Sequence, residues 1–365
     1  MNRELGLRNL SQIMDWDDDE ARTEFRWLSF MSQYKYDSYG DYLAGVRFIE
    51  SLAKWLQQFK FEDRKVAYSY VKENLIYVSA SEIQILVNKF YHEVVFKDLL
   101  NNVSKIKSIP KYLALSKEEF VEEFNWQKRK ILFMGLSDGA RLDSFRRANI
   151  DVVSNEQIVV ATQVDSGKWK DLLKDLRTDL KKIRDVDCSQ ENFTCVYLID
   201  DFTASGTSVL RPSVEKGEYK GKIHRFKNSV DEARARLKNE MIFDDGWTLN
   251  IHHYIGTEKA KNSINKRLSD AFSGEEAGWT SNINLTFGTM LQDSCCLDPK
   301  SGGAFVEICK KYYDSSIEND HSAESGDSNM TFGYGNCALP LVLEHNTPNN
   351  SLPVLPQLEM ESDPC

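Results

Sequence analysis

Apolar residues recur at helical spacing through the first third of the chain. Tyr42, Val46, Ile49, Ala53 and Leu56 fall on one helix face. Ile83, Leu86, Phe90 and Val94 form a second stripe. It is introduced by Ser79-Ala80-Ser81-Glu82, which has the form of a capping box. Ser116-Lys117-Glu118-Glu119 repeats that signal before Phe120 and Phe124. No glycine-rich linker divides the stretch, so residues 1–127 read as a helical region packed on the remainder of the chain. Near residue 130 the period changes. Ile131–Leu136, Ile158–Thr162, Cys195–Ile199 and Leu249–Ile255 are short apolar runs, as expected of strands buried on both faces. Ile283–Phe287 and Leu341–Leu343 are weaker candidates. Between the runs lie helical stripes: Leu172, Leu176, Leu180 and Ile183, then Ile264, Leu268 and Phe272. Strands alternating with helices predict βαβ units. The expected fold is an α/β, doubly wound, mostly parallel sheet over residues 128–353. Residues 211–228 read as an inserted loop or hairpin, 314–330 as a polar surface loop, and 354–365 as a disordered tail.

Composition narrows the class without choosing a function. With 365 residues the chain can bury a sizeable core unaided. Its net charge of −10 argues against wholesale coating of nucleic acid, leaving room for a local basic patch. There is no apolar run long enough to span a bilayer, so no membrane partner is expected. Met1-Asn2-Arg3-Glu4 lacks the apolar core of a signal peptide, which makes a cytoplasmic location the default expectation. The seven cysteines (Cys188, Cys195, Cys295, Cys296, Cys309, Cys337 and Cys365) include no C-x-x-C pair. They suggest neither a disulfide framework nor a zinc site.

One segment joins a strand to chemistry. The run Val196–Ile199 delivers Asp200 and Asp201 to the carboxyl edge of the expected sheet, where open parallel sheets bind ligands. Then come Phe202, Thr203, Ala204, Ser205, Gly206, Thr207 and Ser208. Small residues let backbone amides approach an anion closely, hydroxyls add donors, and a following helix would add the positive end of its dipole. The ligand this predicts is a phosphate on a polyol: amides hold the phosphate and the acids accept hydrogen bonds from hydroxyls.

This stretch resembles the phosphoribosyl pyrophosphate (PRPP) motif of type I phosphoribosyltransferases. That motif has four apolar residues, two acids, two variable residues and a small-Thr/Ser-Gly-x-Thr/Ser loop. The resemblance implies a type I phosphoribosyltransferase-like fold, ribose contacts from Asp200 and Asp201, and a 5′-phosphate held by Thr203–Ser208. It also implies an enzyme of the glycosyltransferase class that binds PRPP or a nucleotide with Mg²⁺. In the family a loop after the first core strand binds pyrophosphate, and the matching stretch here is Ser137, Asp138, Gly139, Ala140 and Arg141. Asp138 departs from a simple anion loop. A mobile loop between the second strand and the motif strand would fall on Val164–Lys170, with Lys168 or Lys170 facing pyrophosphate. The same lysines also suit the solvated start of a helix.

The closing region, Phe332–Asn336 and Glu344–Pro353, is similar to that of phosphoribosyltransferase-like proteins of bacterial conflict (anti-phage) systems, some accompanying retrons. That similarity spans residues 130–353 and suggests base contacts from Tyr334 and Asn346. It implies a defence effector, with a reverse transcriptase or another defence-complex component as partner, and a homodimer as in other members. The alternatives are a PRPP- or nucleotide-binding regulator without turnover, and a nucleic-acid or partner-binding module using the basic segment Lys216–Lys227. His252 and His253 sit in one strand on opposite faces, which favours structural roles over a shared metal.

Overall fold

The computed structural model describes residues 3–36, 46–213, 218–237, 241–273, 279–280, 282–318 and 328–355. Tyr42 and Lys216 therefore lie outside the described residues. Among those described, nine strands follow in chain order: β1 (Ile76–Val78), β2 (Ile131–Gly135), β3 (Ile158–Val160), β4 (Phe193–Thr203), β5 (Arg211–Pro212), β6 (Tyr219–Lys220), β7 (Phe243–Thr257), β8 (Asn282–Leu291) and β9 (Leu341–Leu343). The chain divides into two compact units. One is Met1–Ile83 together with Gln292–Cys365, and the other is Gln84–Leu291.

The unit Gln84–Leu291 holds a five-stranded sheet of order β3-β2-β4-β7-β8. Every neighbouring pair is parallel. The α/β, doubly wound reading is thus observed, with weak candidate 283–287 forming the edge strand β8. Side chains alternate across the sheet. Leu132, Met134, Val196, Leu198, Leu249 and Ile251 join a core with the helices Ser166–Arg184, Lys222–Leu237 and Glu258–Ala271. The opposite face is aromatic. Phe133 stacks on Tyr197 (centroids 5.6 Å), and Phe90 on His252 (4.2 Å), while Phe145 of the helix Leu142–Ala148 closes on Phe133 at 5.0 Å. Helices thus cover both faces, as a buried parallel sheet requires.

Several local expectations change. The strand Cys195–Ile199 runs on to Thr203 as β4, so both acids lie within the strand rather than in the turn after it. The run Ile158–Thr162 stops at Val160, where a 3₁₀ turn begins. Val164–Lys170 is no loop: Asp165 caps the helix Ser166–Arg184 by accepting from Lys168 N at 2.8 Å. Ser79 and Glu82 do form the reciprocal capping box. Ser116 does not cap; the helix starts at Glu118 after Lys117, and Ser116 Oγ donates to Leu113 O.

The other unit packs the helices Arg3–Met14, Asp18–Tyr34, Val46–Gln57 and Phe61–Asn74 around a separate core. Here the strand 341–343 pairs in parallel with Ile76–Val78, not with the five-stranded sheet. The expected single α/β stretch therefore ends at Leu291, and residues 84–127 group with the sheet. Val354 and Leu355, read as the start of a tail, are buried in this core, and Trp55 Nε1 donates to Val354 O. The rest of that tail, 356–365, lies outside the described residues, as does 319–327 of the polar loop.

Candidate functional site

In the sheet order β3-β2-β4-β7-β8 the chain winds outward in both directions from between β2 and β4. That is the switch point at which doubly wound folds bind ligands, beyond the carboxyl ends of the strands. The register pairs Gly135 with Ile199, so β2 ends there while β4 continues to Thr203. Asp200 and Asp201 thus stand just past the end of β2, beside the loop Leu136–Arg141. The fold brings Ser137–Arg141 and Asp200–Ser208 together at one edge.

The two acids differ. Asp200 is buried, at 1% exposure. Its Oδ1 accepts from Ser137 Oγ, its Oδ2 from Lys222 Nζ, and His253 Nε2 lies 3.9 Å from Oδ2. A buried carboxylate needs such partners, because desolvation of a lone charge costs several kcal/mol, of order 20 in the idealised limit. Successive strand residues face opposite sides of a sheet, and half-buried Asp201 turns away from Asp200 toward Gly139. A Cβ on Gly139 would collide with its carboxylate, so glycine is needed for this approach. Asp201 Oδ1 accepts from Phe202 N at 2.8 Å.

In the loop after β4 the protein engages the carbonyls. Ala204 O accepts from Thr257 Oγ1 (2.7 Å), Ser205 O from Arg267 (3.4 Å), and Gly206 O from Leu210 N (3.1 Å). Thr207 O accepts from Arg211 (3.4 Å) and Ser208 O from Lys222 N (3.0 Å). With these carbonyls engaged, the side left to an anion is the amide side, although Thr207 N already donates to Ser205 Oγ at 3.3 Å. Gly206 sits at φ 72°, in the left-handed region, and a Cβ there would strike Ile264. Thr203–Thr207 are buried and Ser208 is exposed.

The helix expected after the loop is displaced. One turn forms through Leu210 N–Gly206 O, then the β5–β6 hairpin intervenes, and the helix resumes at Lys222. Lys222 N donates to Ser208 O and Ile223 N to Val209 O, as the next residues of an unbroken helix would. The hairpin is thus spliced into the first turn of one helix. That splice delivers Lys222 to Asp200. The sequence marks Lys222 only as one of the basic segment Lys216–Lys227, so its place at Asp200 is missed there.

The first loop forms a 3₁₀ turn, Asp138–Ala140, followed by Arg141 at φ 52°. A non-glycine residue held there stores about 1 kcal/mol or more of strain. Tyr254 Oη donates to Ala140 O at 3.3 Å, and burial pushes that phenol upward. Beside the loop opens a cavity of about 590 Å³ lined by Ser137, Asp138, Arg141, Arg146, Arg147 and Lys168, among others. Lys168 therefore reaches the neighbourhood expected of it, but from a helix. Arg146 and Arg147 carry no site signal in the sequence beyond their place in a helical stretch; Arg146 is partly neutralised by Asp143 at 2.6 Å.

His253 is fully buried beneath Asp200, and burial lowers its pKa to about 4. His252 faces the aromatic side, bonds Thr286 Oγ1 at 2.9 Å, and is lowered by burial to about 3. Both are neutral at ordinary pH. Tyr334 and Asn346 belong to the other unit. Tyr334 is buried in a turn whose backbone is held by Asn349 O (2.7 Å) and Asn350 Nδ2 (2.9 Å), and Asn346 N donates to Leu343 O at 3.3 Å. Among the described residues, no helix is long and apolar enough to cross a membrane.

No curated protein and no solved structure matches the chain. A family model does, over residues 52–357, the bulk of the chain and both loops of the site. On that match and this topology, the protein is phosphoribosyltransferase-like and belongs to the PRTase-CE family.

Proposed function

We propose that the chain binds Mg–PRPP, or a related ribose phosphate or nucleotide, and transfers the phosphoribosyl group to an acceptor. The observation that carries this reading is the convergence of Ser137–Arg141 with Asp200–Ser208 at the switch point of the sheet. In this reading the amides of Thr203–Ser208 hold the 5′-phosphate. Asp201 accepts hydrogen bonds from the ribose hydroxyls, and Asp200 joins it when Lys222 releases it. The C1–pyrophosphate bond breaks as the acceptor bonds C1, and positive charge develops on the ribose. Arg141 and Lys168 would oppose the charge of the departing pyrophosphate.

Among the described residues no group of three or more His, Cys, Asp or Glu is arranged to hold a metal. Mg²⁺ would arrive chelated by the ligand's own phosphates, with Asp201 or Asp138 as a carboxylate at this edge that could help hold it, and would supply charge neutralisation. The test is pyrophosphate release from Mg–PRPP, with and without nucleobases. The expected result is acceptor-dependent release that falls about a hundredfold in Asp201→Asn.

The ion pair of Asp200 with Lys222 favours a second reading, a PRPP- or nucleotide-responsive regulator without turnover. Saturable PRPP binding with no pyrophosphate release would select it. The nucleic-acid reading is weaker, because Lys222 and Lys227 are already paired with Asp200 and Asp231. A defence role rests on the family resemblance, and is tested by phage challenge of cells carrying wild type or Asp201→Asn.

A further inference from the structure

A second cavity lies at the other edge of the sheet, where β2 and β3 begin. Its volume is about 800 Å³, within the range of small-molecule sites. The walls come from the helices Glu118–Arg129 and Ser166–Arg184 and from the turn Ile150–Gln157 that leads into β3.

Its chemistry is lopsided. The acids on the walls are neutralised or solvated. Asp179 takes Arg129 Nε at 2.9 Å and Lys182 at 2.7 Å, and Glu122 takes Arg184 at 2.8 Å. Glu118 and Asp151 are exposed. One cation on the walls is not balanced in the same way. Lys128 is half-buried and makes no ion pair among the described residues, and desolvation lowers its pKa. Arg129, with its side chain 7% exposed, is anchored through Nε, while its Nη2 has no hydrogen-bond partner. That nitrogen is sealed from the cavity, so Arg129 serves to neutralise Asp179 and leaves Lys128 as the cation open to an occupant. The remaining lining is mixed: Asn125, Ser154, Asn155 and Gln157 are polar, while Val121, Ile150, Val152, Val153 and Ile183 form an apolar side. Ile150 is 66% exposed and Val121 38%, beside Ile183.

We propose that this cavity binds a small organic anion, its phosphate or carboxylate held by Lys128 and its apolar body laid on Val121, Ile150 and Ile183. The site is separate from the ribose-phosphate cradle and does not depend on it. Its wall includes the turn that joins the helix Leu142–Ala148 to β3. That helix comes directly after the Ser137–Arg141 loop, so an occupant would touch the segment leading from one site to the other.

The experiment is calorimetric titration of the full chain with hexyl phosphate and with hexanoate, using hexanol as the uncharged control. At least one anion should bind saturably and hexanol should not. The stronger of the two identifies the head group. Lys128→Gln and Ile150→Asp should each weaken binding by about tenfold or more, the loss of one charge-assisted contact or of the apolar wall. Ile150 is exposed, so its variant keeps the fold if Lys128→Gln does not. Asp201→Asn should leave this binding unchanged, which separates it from the PRPP reading. The proposal is overturned if neither anion saturates the folded wild type, if hexanol binds as well, or if both cavity variants keep wild-type affinity.

Discussion

Asp200 and Asp201 are adjacent in sequence and unlike in circumstance. Asp200 is a buried carboxylate tied to Lys222 and Ser137; Asp201 is half-buried beside Gly139. Breaking a buried pair strands the remaining charge. Asp200→Asn and Lys222→Met should each destabilise the protein by about 2–4 kcal/mol, and the double variant by much less than the sum. Denaturant titration of the four proteins measures this cycle, and additive losses would refute the pairing. Asp201→Asn should leave the midpoint in place while weakening PRPP binding. His253 adds a pH dependence. Its folded pKa, about 4, lies below the ordinary 6.5, so as pH falls the unfolded chain takes up the proton first. Stability from this group is complete above about pH 6.5 and drains away between there and about pH 4. With both ring nitrogens unbonded, His253→Leu should hold or raise stability at pH 7 and flatten that acid loss. Unfolding curves at pH 7 and pH 4.5 decide it. The two acids and the small-residue loop were legible in the sequence because their spacing is local. Lys222 and the depth of His253 were not, because each meets Asp200 only through the fold.

At the scale of elements, apolar runs located each strand of the main sheet, since strands buried on both faces leave little ambiguity. Their ends were harder to read. β4 carries its ladder through both acids because β7 continues beside it as far as Gly256, a partner no local pattern reveals. The segment after Ser208 shows the same limit. Composition flagged an insertion at 211–228, but only the bonds Lys222 N–Ser208 O and Ile223 N–Val209 O show it to be a hairpin set into a helix. Joining Arg211 directly to Lys222 should therefore restore one continuous helix. The variant should stay folded, within about 1 kcal/mol of wild type, since helix propagation replaces a turn closed by Gly221 at φ 120°. A large loss of stability, or no gain in helical circular dichroism per residue, would count against the splice. Gly206→Ala tests the loop itself. The left-handed φ and the collision with Ile264 should cost about 1–3 kcal/mol and abolish phosphate-dependent thermal stabilisation.

The molecule as a whole departs furthest from its sequence pattern. Hydrophobic periods alone give helices, then strands, with a boundary at the change near residue 128. The chain instead closes its first unit with its last segment. Phe305, Ile308, Cys309, Val342, Leu352 and Val354 complete the core begun by Leu10, Leu28, Leu52 and Leu56. Pairing of β1 with β9 bridges the same gap. Such a return is invisible to local pattern, because each part of the core looks like a finished amphipathic surface. It has a consequence for folding. The unit Gln84–Leu291 is continuous in sequence and owns a complete core, so expressed alone it should unfold cooperatively and retain whatever affinity for PRPP the whole chain has. Residues 1–83 alone lack the partner strand and a third of their core, and should remain without a cooperative transition until residues 292–365 are supplied in trans or by fusion. Thermal melts of the two fragments, followed by near-ultraviolet circular dichroism, test both halves of the claim. If 1–83 melts cooperatively by itself, the C-terminal segment is a passenger on a finished domain. If it folds only when 292–365 is restored, the two ends of the chain form one folding unit, with the phosphoribosyltransferase-like sheet inserted between them in the sequence.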